Sequence, residues 1–252
     1  MTEIYTLFSG SSGNSALIRT DNNAVLIDAG CSMKKIECSL KELGLSIDDL
    51  DAIFASHEHI DHVAAIPMIA KHHKVPIYLP EKSVFALRGI DNVNALPELN
   101  SVIRFGDIAV DYFRTPHDSA SSVGFVINTP DGKYGLATDM GMVMKSVADR
   151  LTGCNAAIIE ANYDSFMLEN GSYPRALKDR IASGRGHLDN RDSAKLVAYL
   201  ALNGTAKFLL AHLSKENNTP EKALSCVKDF LSRNGITAEV SVASRDRITR
   251  FI

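Results

Sequence analysis

Short apolar or β-branched runs follow one another closely in the first part of the chain and later alternate with segments of helical periodicity. Runs of this length, bounded by turn-forming residues, are typical of β-strands. The predicted strands cover residues 4–8, 16–19, 24–28, 52–55, 110–115, 122–127, 134–137, 156–160, 207–211 and 239–242.

Apolar positions three and four apart predict helices between these runs. The predicted helices cover residues 34–43, 62–72, 142–151, 174–183, 191–202 and 220–234. Thr219 is a suitable N-cap for the last of them, because Pro220 and Glu221 then occupy its first turn. The chain shows no internal repeat and no long linker, so residues 1–252 are expected to form a single α/β domain with helices covering the sheets.

Composition and charge set bounds on the function. A chain of 252 residues, 45% of them hydrophobic and 23% charged, resembles an ordinary globular protein with a sizeable core. Its formal net charge of −3 excludes a general attraction to polyanions, so a nucleic-acid site has to be local.

The cysteines and the chain start indicate the compartment. Cys31, Cys38, Cys154 and Cys226 form no CxxC pair and no regular framework, which favours reduced thiols. The first residues lack a basic region followed by an apolar one, and no apolar stretch is long enough to span a membrane. We therefore expect a cytoplasmic protein without a membrane partner.

The most informative stretch is S-H-E-H-I-D-H at residues 56–62, directly after a predicted strand. Imidazole and carboxylate groups are the usual protein ligands of zinc and neighbouring metals. His57 and His59 lie two positions apart, so in extended chain they project to the same side and can hold one ion. Asp61 and His62 follow as the chain turns into a helix and can reach a second ion. The order differs from the H-E-x-x-H arrangement, in which both histidines lie on one helix.

Further ligand types follow other predicted strands, where loops commonly build sites. These residues are His117, Asp139 and His212. The simplest assignment gives the first metal three histidines, the second metal two histidines and an aspartate, and both metals a bridging aspartate and a water. The ligands of the first metal are His57, His59 and His117, and those of the second are His62, His212 and Asp61. The bridging aspartate is Asp139.

H-x-H-x-D-H, the later single histidine, the aspartate at a strand end and the final histidine closely resemble the motifs of the metallo-β-lactamase superfamily of hydrolases. The match runs from Asp28 to His212. The resemblance implies an αββα sandwich, in which two mixed β-sheets lie face to face with helices outside. It also implies that Asp28, in the L-I-D-A-G motif, supports the ligands from behind.

The residue types at the predicted second metal point to a branch of that superfamily. The lactamase branch usually carries a cysteine there, whereas this chain has Asp139, and Cys154 lies on no such motif. A bridging carboxylate favours a close pair of metals, which suits the attacking and departing oxygens of a phosphoester. Phosphodiester hydrolysis is therefore the expected reaction.

Glu160 and His187 resemble the glutamate and histidine of the transfer-RNA 3′-processing nucleases and the related β-CASP nucleases. The resemblance implies that His187, supported by Glu160, protonates the leaving oxygen. The alternative is that His187 is a solvent-exposed residue before a helix. Two divalent ions would polarise the phosphodiester and activate a bridging water, and Asp61 would steer the proton of that water. Zinc is the expected metal, with manganese and iron as alternatives.

Three short stretches, at residues 9–15, 186–190 and 212–218, are similar to the small YycJ/WalJ-type bacterial members of the superfamily, which are regarded as exonuclease-like. The resemblance implies that Ser214, Asn217 and Asn218 line the loop after the last ligand. Taken alone, the S-G-S-S-G-N-S stretch lacks the lysine of a phosphate-binding P-loop and favours a hairpin turn.

Basic residues cluster before the predicted helix at 191–202. They are Arg175, Lys178, Arg180, Arg185 and Arg191. Such side chains could contact phosphates. Interleaved aspartates equally allow a solvated helix face, and the sequence leaves both interpretations open.

The expected substrate is a single DNA strand or a short oligonucleotide, because the chain between Asp139 and His212 is too short for a β-CASP domain. One alternative is a hydrolase of the same fold that cleaves a small cyclic phosphodiester, lactone or thioester in a closed pocket. The other is a non-catalytic nucleic-acid-binding module, which would be expected to have lost ligands.

Overall fold

Two mixed β-sheets of seven strands each form the frame of the computed structural model, which describes residues 1–99 and 101–252. The first sheet has the strands β1 (Glu3–Phe8), β2 (Ser15–Arg19), β3 (Ala24–Ile27), β4 (Ala52–Phe54), β5 (Ile77–Leu79), β6 (Val93–Ala95) and β14 (Thr249–Arg250). The second has β7 (Ile103–Phe105), β8 (Ile108–Arg114), β9 (Val123–Thr129), β10 (Gly132–Ala137), β11 (Ala156–Glu160), β12 (Lys207–Ala211) and β13 (Glu239–Val242).

The helices lie between these strands. They are α1 (Met33–Glu42), α2 (Ile60–Val63), α3 (Ile66–His72), α4 (Glu81–Val84), α5 (Lys145–Leu151), α6 (Ser165–Asn170), α7 (Arg175–Ile181), α8 (Asn190–Leu202) and α9 (Pro220–Arg233), with short 3₁₀ turns at Ile47–Asp49 and Phe85–Leu87. Among the described residues, no helix combines the length and apolarity needed to cross a membrane.

Both sheets follow the same plan. The first sheet is antiparallel from β14 through β3 and parallel from β3 to β6. The second is antiparallel from β7 to β10 and parallel from β10 to β13. Since parallel strands end at the same edge of a sheet, the residues after β3 and β4 gather at one edge, as do those after β10 to β12.

Three apolar layers hold the sheets and helices together. Ile27, Phe54, Phe125 and Ile158 belong to the layer between the two sheets. The outer face of the first sheet packs against apolar residues of α1 and α3. That of the second packs against α5, α8 and α9. Because the strands are buried on both faces, they read as continuous apolar runs rather than as alternating ones. The four-layer αββα sandwich that the family resemblance implies is confirmed.

The main differences from the predicted elements concern very short segments. Strands β5, β6 and β7 have three residues each and β14 has two, too few to show a pattern. The predicted helix at 62–72 is interrupted between α2 and α3. There the N–H of Ala65 bonds to Ala29 O at 2.9 Å instead of a helical carbonyl. The helix predicted at 142–151 begins only at Lys145.

Candidate metal centre

The candidate ligands meet where strands of both sheets end. The motif at residues 56–62 follows β4 of the first sheet, whereas the other candidates follow strands of the second. His117 lies beyond β8, Asp139 beyond β10 and His212 directly after β12. The structure therefore brings together all seven residues that the sequence nominated as metal ligands.

Three residues of the site have left-handed backbone conformations that side chains other than glycine rarely adopt. The φ angles are 63° at Asp28, 57° at Asp139 and 57° at His212. Each costs about 1 kcal/mol or more and persists because the surrounding structure fixes it. At His212, for example, the backbone N–H bonds to Ser9 Oγ at 2.8 Å.

His57, His59 and His117 form one group of donors, with a ligand atom of each within 4.8 Å of the others. His117 Nε2 lies 3.3 Å from His59 Nδ1. The His117 Nδ1–H donates to Gly186 O at 2.9 Å, which leaves Nε2 as a free lone pair. His57 Nε2 is buried without a hydrogen-bond partner among the described residues. Converging imidazole nitrogens of this kind fit a metal ion.

Asp61, His62 and His212 form a second group. Asp61 Oδ2 lies 3.5 Å from His62 Nε2 and 3.5 Å from His212 Nε2. Asp139 stands between the groups, because its Oδ2 is 3.2 Å from His62 Nε2 and its Oδ1 is 3.7 Å from His117 Nε2. This placement suits a carboxylate that bridges two ions.

The electrostatics of the cluster favour positive charge. Although burial opposes protonation, the carboxylates of Asp28 and Asp139 raise the pKa of His62 well above its ordinary value. Asp139, Asp61 and Glu160 overcome the same penalty at His212 and raise its pKa to about 10. In the protein without ions, protons on these imidazoles balance the carboxylates. Divalent cations would take over that role, since metal binding displaces ligand protons.

The other members of the cluster suit metal binding for complementary reasons. Burial, together with the neighbouring His62, holds the pKa of His57 well below its ordinary value, so this imidazole stays neutral. The pKa of Asp61 is low despite burial, because His212 and His62 stabilise its charged form. Neutral imidazoles and ionised carboxylates are the forms that bind zinc.

Asp28 and Ser56 support the ligands from behind. The Ser56 N–H donates to Asp28 Oδ1 at 2.7 Å, and Asp28 Oδ2 lies 2.8 Å from His62 Nδ1. Ser56 Oγ is also 3.0 Å from His57 Nδ1. Asp28 therefore lies behind a candidate ligand, the position that the resemblance implies for it. The contacts of Ser56 were not predicted, although Ser56 is the first residue of the ligand motif.

Two asparagines complete this support and were also not predicted as site residues. Asn14 Nδ2 lies 3.2 Å from His62 Nε2 and donates to the backbone oxygen of Asp61 at 3.3 Å. Asn162 Nδ2 donates to His212 O at 2.8 Å. Asn14 belongs to the loop between the antiparallel strands β1 and β2, which forms the predicted hairpin connection.

The loop after β3 packs directly against the ligand loop. A Cβ atom added to Gly30 would stand 1.7 Å from Asp61 O and 2.7 Å from Asn14 N. The Ala29 N–H bonds to His62 O at 2.8 Å across the same contact. Only a residue without a side chain permits this approach, which fixes the backbone of Asp61 and His62.

Glu160 and His187 form a hydrogen-bonded pair next to the second group. Glu160 is fully buried, and its Oε1 lies 2.8 Å from His187 Nδ1 and 3.0 Å from His212 Nδ1. Burial opposes ionisation, but the His187 and His212 rings hold the pKa of Glu160 below its ordinary value. The His187 side chain is 21% exposed. The ring is therefore held by the site and still reaches solvent.

The residues nominated after the last ligand lie beneath the site rather than at its surface. Ser214, Asn217 and Asn218 are buried. Asn218 Nδ2 donates to Ala161 O at 2.9 Å and to Asn162 O at 3.1 Å, and Ser214 Oγ accepts from the Asn217 N–H at 3.2 Å. These bonds tie the loop after β12 to the loop after β11.

The basic residues divide into two sets. Arg185 donates to His117 O from Nε at 3.3 Å and from Nη2 at 3.1 Å, next to the donor cluster. Arg175 pairs with Glu169 and with Asp179, and Arg180 pairs with Asp118. For Arg175 and Arg180 the structure favours the solvated, ion-paired helix face over an unpaired phosphate-binding patch.

Residues 9–195 match the family model of the metallo-β-lactamase superfamily. The chain belongs to this superfamily. Its fold and its cluster of histidines and carboxylates are those of a metal-dependent hydrolase. Within this cluster, four overlapping groups of three or four described residues could each hold a metal ion.

Two curated relatives are similar over most of the chain. The chain is 35% identical over 236 residues to exodeoxyribonuclease YycJ of Bacillus anthracis, covering 91% of this chain and 89% of the relative. It is 37% identical over 224 residues to exodeoxyribonuclease WalJ of Streptococcus pneumoniae serotype 2, covering 86% and 83%. The solved metallo-β-lactamase fold protein YhfI of Bacillus subtilis shares 16% identity with a TM-score of 0.73, covering 99% of this chain and all of that one, which shows the common fold.

Proposed function

We propose that this protein is a dinuclear metal-dependent phosphodiesterase that cleaves DNA. The observation that carries the proposal is Asp139, a carboxylate placed between two groups of ligands and close to the Glu160–His187 pair. The relatives named as exodeoxyribonucleases support DNA as the substrate, since they align with nearly the whole chain.

We assign the metals to the two donor groups described above. One set is His57, His59 and His117, the other is Asp61, His62 and His212, and Asp139 contributes to both. Bound divalent ions supply Lewis-acid polarisation of the phosphodiester and neutralise its charge. Zinc is the metal we propose because imidazoles dominate the donors, and manganese or iron suits the same nitrogen and oxygen ligands.

His187 is the proposed proton donor to the leaving oxygen. Its Nδ1 faces Glu160 Oε1 at 2.8 Å, so Nε2 is the nitrogen that can give up a proton. Glu160 is held in turn by the N–H groups of Met140 and Leu188, which fixes the orientation of the imidazole. Asp61, whose side chain is 20% exposed, is the proposed acceptor for the proton of the attacking water.

The remaining parts of the proposal concern substrate form and setting. We propose a single DNA strand or a short oligonucleotide as the substrate. We also propose that residues 1–252 act as one domain, because both sheets contribute donors. A cytoplasmic setting is supported by the four cysteines, which are all free thiols.

The proposal is tested with purified protein supplied with zinc or manganese. End-labelled single-stranded DNA, the matched duplex and bis(p-nitrophenyl) phosphate are compared with a lactone and a thioester. We expect metal-dependent cleavage of the phosphodiesters and a ladder or mononucleotides from the single strand. Turnover of the lactone or thioester without phosphodiester cleavage would contradict the proposal and support the small-molecule hydrolase instead. The Asp139→Ala variant is expected to lose the activity.

A further inference from the structure

We propose that the DNA strand leaves the metal centre along a groove over the start of α1, where Lys34 and Lys35 contact its phosphates. This inference rests on the proposed phosphodiesterase function. Its lysines come from the N-terminal part of the chain. They are different from the basic residues at 175–185, which the sequence suggested as possible phosphate contacts.

The groove begins at the ligand loop. A depression of about 270 Å³ is lined by Ile60 and Asp61 of the ligand loop together with Ser11, Ser12 and Lys35. A second depression, of about 420 Å³, shares Ser32 and Lys35 with the first and extends to Lys34 and Cys38. Because residues of α1 line both, the two depressions form one path that starts at a candidate ligand.

The charges along this path differ from those on the other basic surface. Lys34 and Lys35 are exposed, and neither is ion-paired with a carboxylate of the described residues. Asp246 is the described carboxylate that lines the outer depression, which both lysines also line. Arg175 and Arg180, in contrast, already have carboxylate partners. A phosphate gains more from unpaired cations, because no existing ion pair has to be broken.

The inner part of the groove has the other groups that a nucleotide requires. The hydroxyls of Ser11 and Ser12 are exposed and can donate to phosphate oxygens. Ile60 is 74% exposed although it lies between the candidate ligands His59 and Asp61. Its side chain offers an apolar surface to a sugar or base next to the scissile bond. The groove therefore offers polar groups to the phosphates and an apolar side chain to a sugar or base of the DNA strand.

The test compares the double variant Lys34→Gln/Lys35→Gln with wild type and with the matched control Arg175→Gln/Lys178→Gln. Metal-loaded enzyme is assayed on a short single-stranded DNA and on bis(p-nitrophenyl) phosphate over a range of salt concentrations. We expect kcat/KM of the Lys34/Lys35 variant to fall about 10-fold more for DNA than for the small ester. We also expect the slope of log kcat/KM against log salt to become shallower by about 1.4, since each lost phosphate contact on a single strand removes about 0.7.

Three results would overturn the inference. The first is an unchanged salt slope in the Lys34/Lys35 variant while wild type is active on both substrates. It would contradict the groove but not the phosphodiesterase function. An equally large change in the Arg175/Lys178 control would show that general surface charge, rather than this groove, attracts the strand. Wild-type protein that cleaves neither phosphodiester would overturn the function and the groove together.

Discussion

Asp28 connects the His62 imidazole to the backbone of Ser56. Its carboxylate accepts from the Ser56 N–H at 2.7 Å and faces His62 Nδ1 at 2.8 Å. Such carboxylates orient a ligand ring and increase its basicity, and their loss typically weakens metal binding 10- to 100-fold. We therefore expect Asp28 to act on a bound metal through the ring of His62.

We expect Asp28→Asn to lower metal affinity about 10- to 100-fold, because the amide keeps the shape of the carboxylate but removes its charge. Competition with a chromophoric chelator measures this change. Asp48→Asn is the matched control, since Asp48 pairs with His73 at 2.8 Å on the surface. Equal metal affinities for the two variants would show that Asp28 has no effect on the metal centre.

For His187→Gln we expect kcat on DNA to fall by about 10²- to 10⁴-fold, the usual contribution of a positioned general acid. The loss on bis(p-nitrophenyl) phosphate should be smaller, because p-nitrophenolate departs without protonation. Steady-state kinetics on both substrates, with metal content measured in parallel, give the comparison. His72→Gln changes an exposed histidine and serves as the control. Equal losses on both substrates would contradict the proton-donor role.

The close approach of two loops fixes the backbone of the ligand motif. Gly30 has no space for a side chain beside Asp61. Gly30→Ala must displace the backbone of Asp61, so we expect loss of metal binding and activity together with about 1–3 kcal/mol of stability, as in other overpacked sites. Urea unfolding and metal analysis of the variant measure both effects.

Gly44→Ala separates displacement of the site from simple loss of stability. Gly44 has φ of 79° and no atom within 4 Å of an added Cβ. An alanine there costs about 1 kcal/mol through backbone strain, yet it touches no part of the metal centre. Normal activity of Gly30→Ala, or equal metal loss in both variants, would show that the tight loop contact is unimportant.

Elements that depend on a local apolar pattern could be predicted from the sequence, whereas elements that depend on contacts with distant segments could not. Strands such as Ala156–Glu160 and Lys207–Ala211 were predicted with their observed bounds because their apolar runs are local signals. Strands β5 to β7 are too short for a pattern and form by pairing with neighbours. The roles of Asn14 and Ser56 depend on contacts between distant segments, which no local pattern predicts.

The candidate metal centre takes its residues from both sheets. His57 and His212 follow strands of different sheets, so ions bound by them would link the halves of the sandwich. We expect chelation to lower the free energy of unfolding and zinc to restore it. Metal binding raises the free energy of unfolding by about 2.7 kcal/mol per site when the free metal concentration is 100 times the Kd. Urea unfolding with and without chelator measures the difference, and Asp139→Ala should reduce it. No effect of chelation on wild type would contradict this linkage.

The surface charge could be predicted only in part, because ion pairs depend on the fold. The net charge of −3 predicts no general attraction to polyanions, so a site for DNA has to be local. The sequence could not show that Arg180 pairs with Asp118, which lies far away in the chain. Nor could it show that Lys35 and Asp61 border the same depression. The ligand motif, in contrast, consists of consecutive residues and can therefore be identified from the sequence alone.

The most direct test of the dinuclear phosphodiesterase is a metal titration of the chelator-treated protein. Phosphodiesterase activity on DNA and bound metal are measured on the same samples as zinc or manganese is added. We expect activity to rise to its maximum at two ions per chain and to be absent without metal. Maximal activity at one ion per chain, or DNA cleavage that persists without metal, would contradict the proposed mechanism.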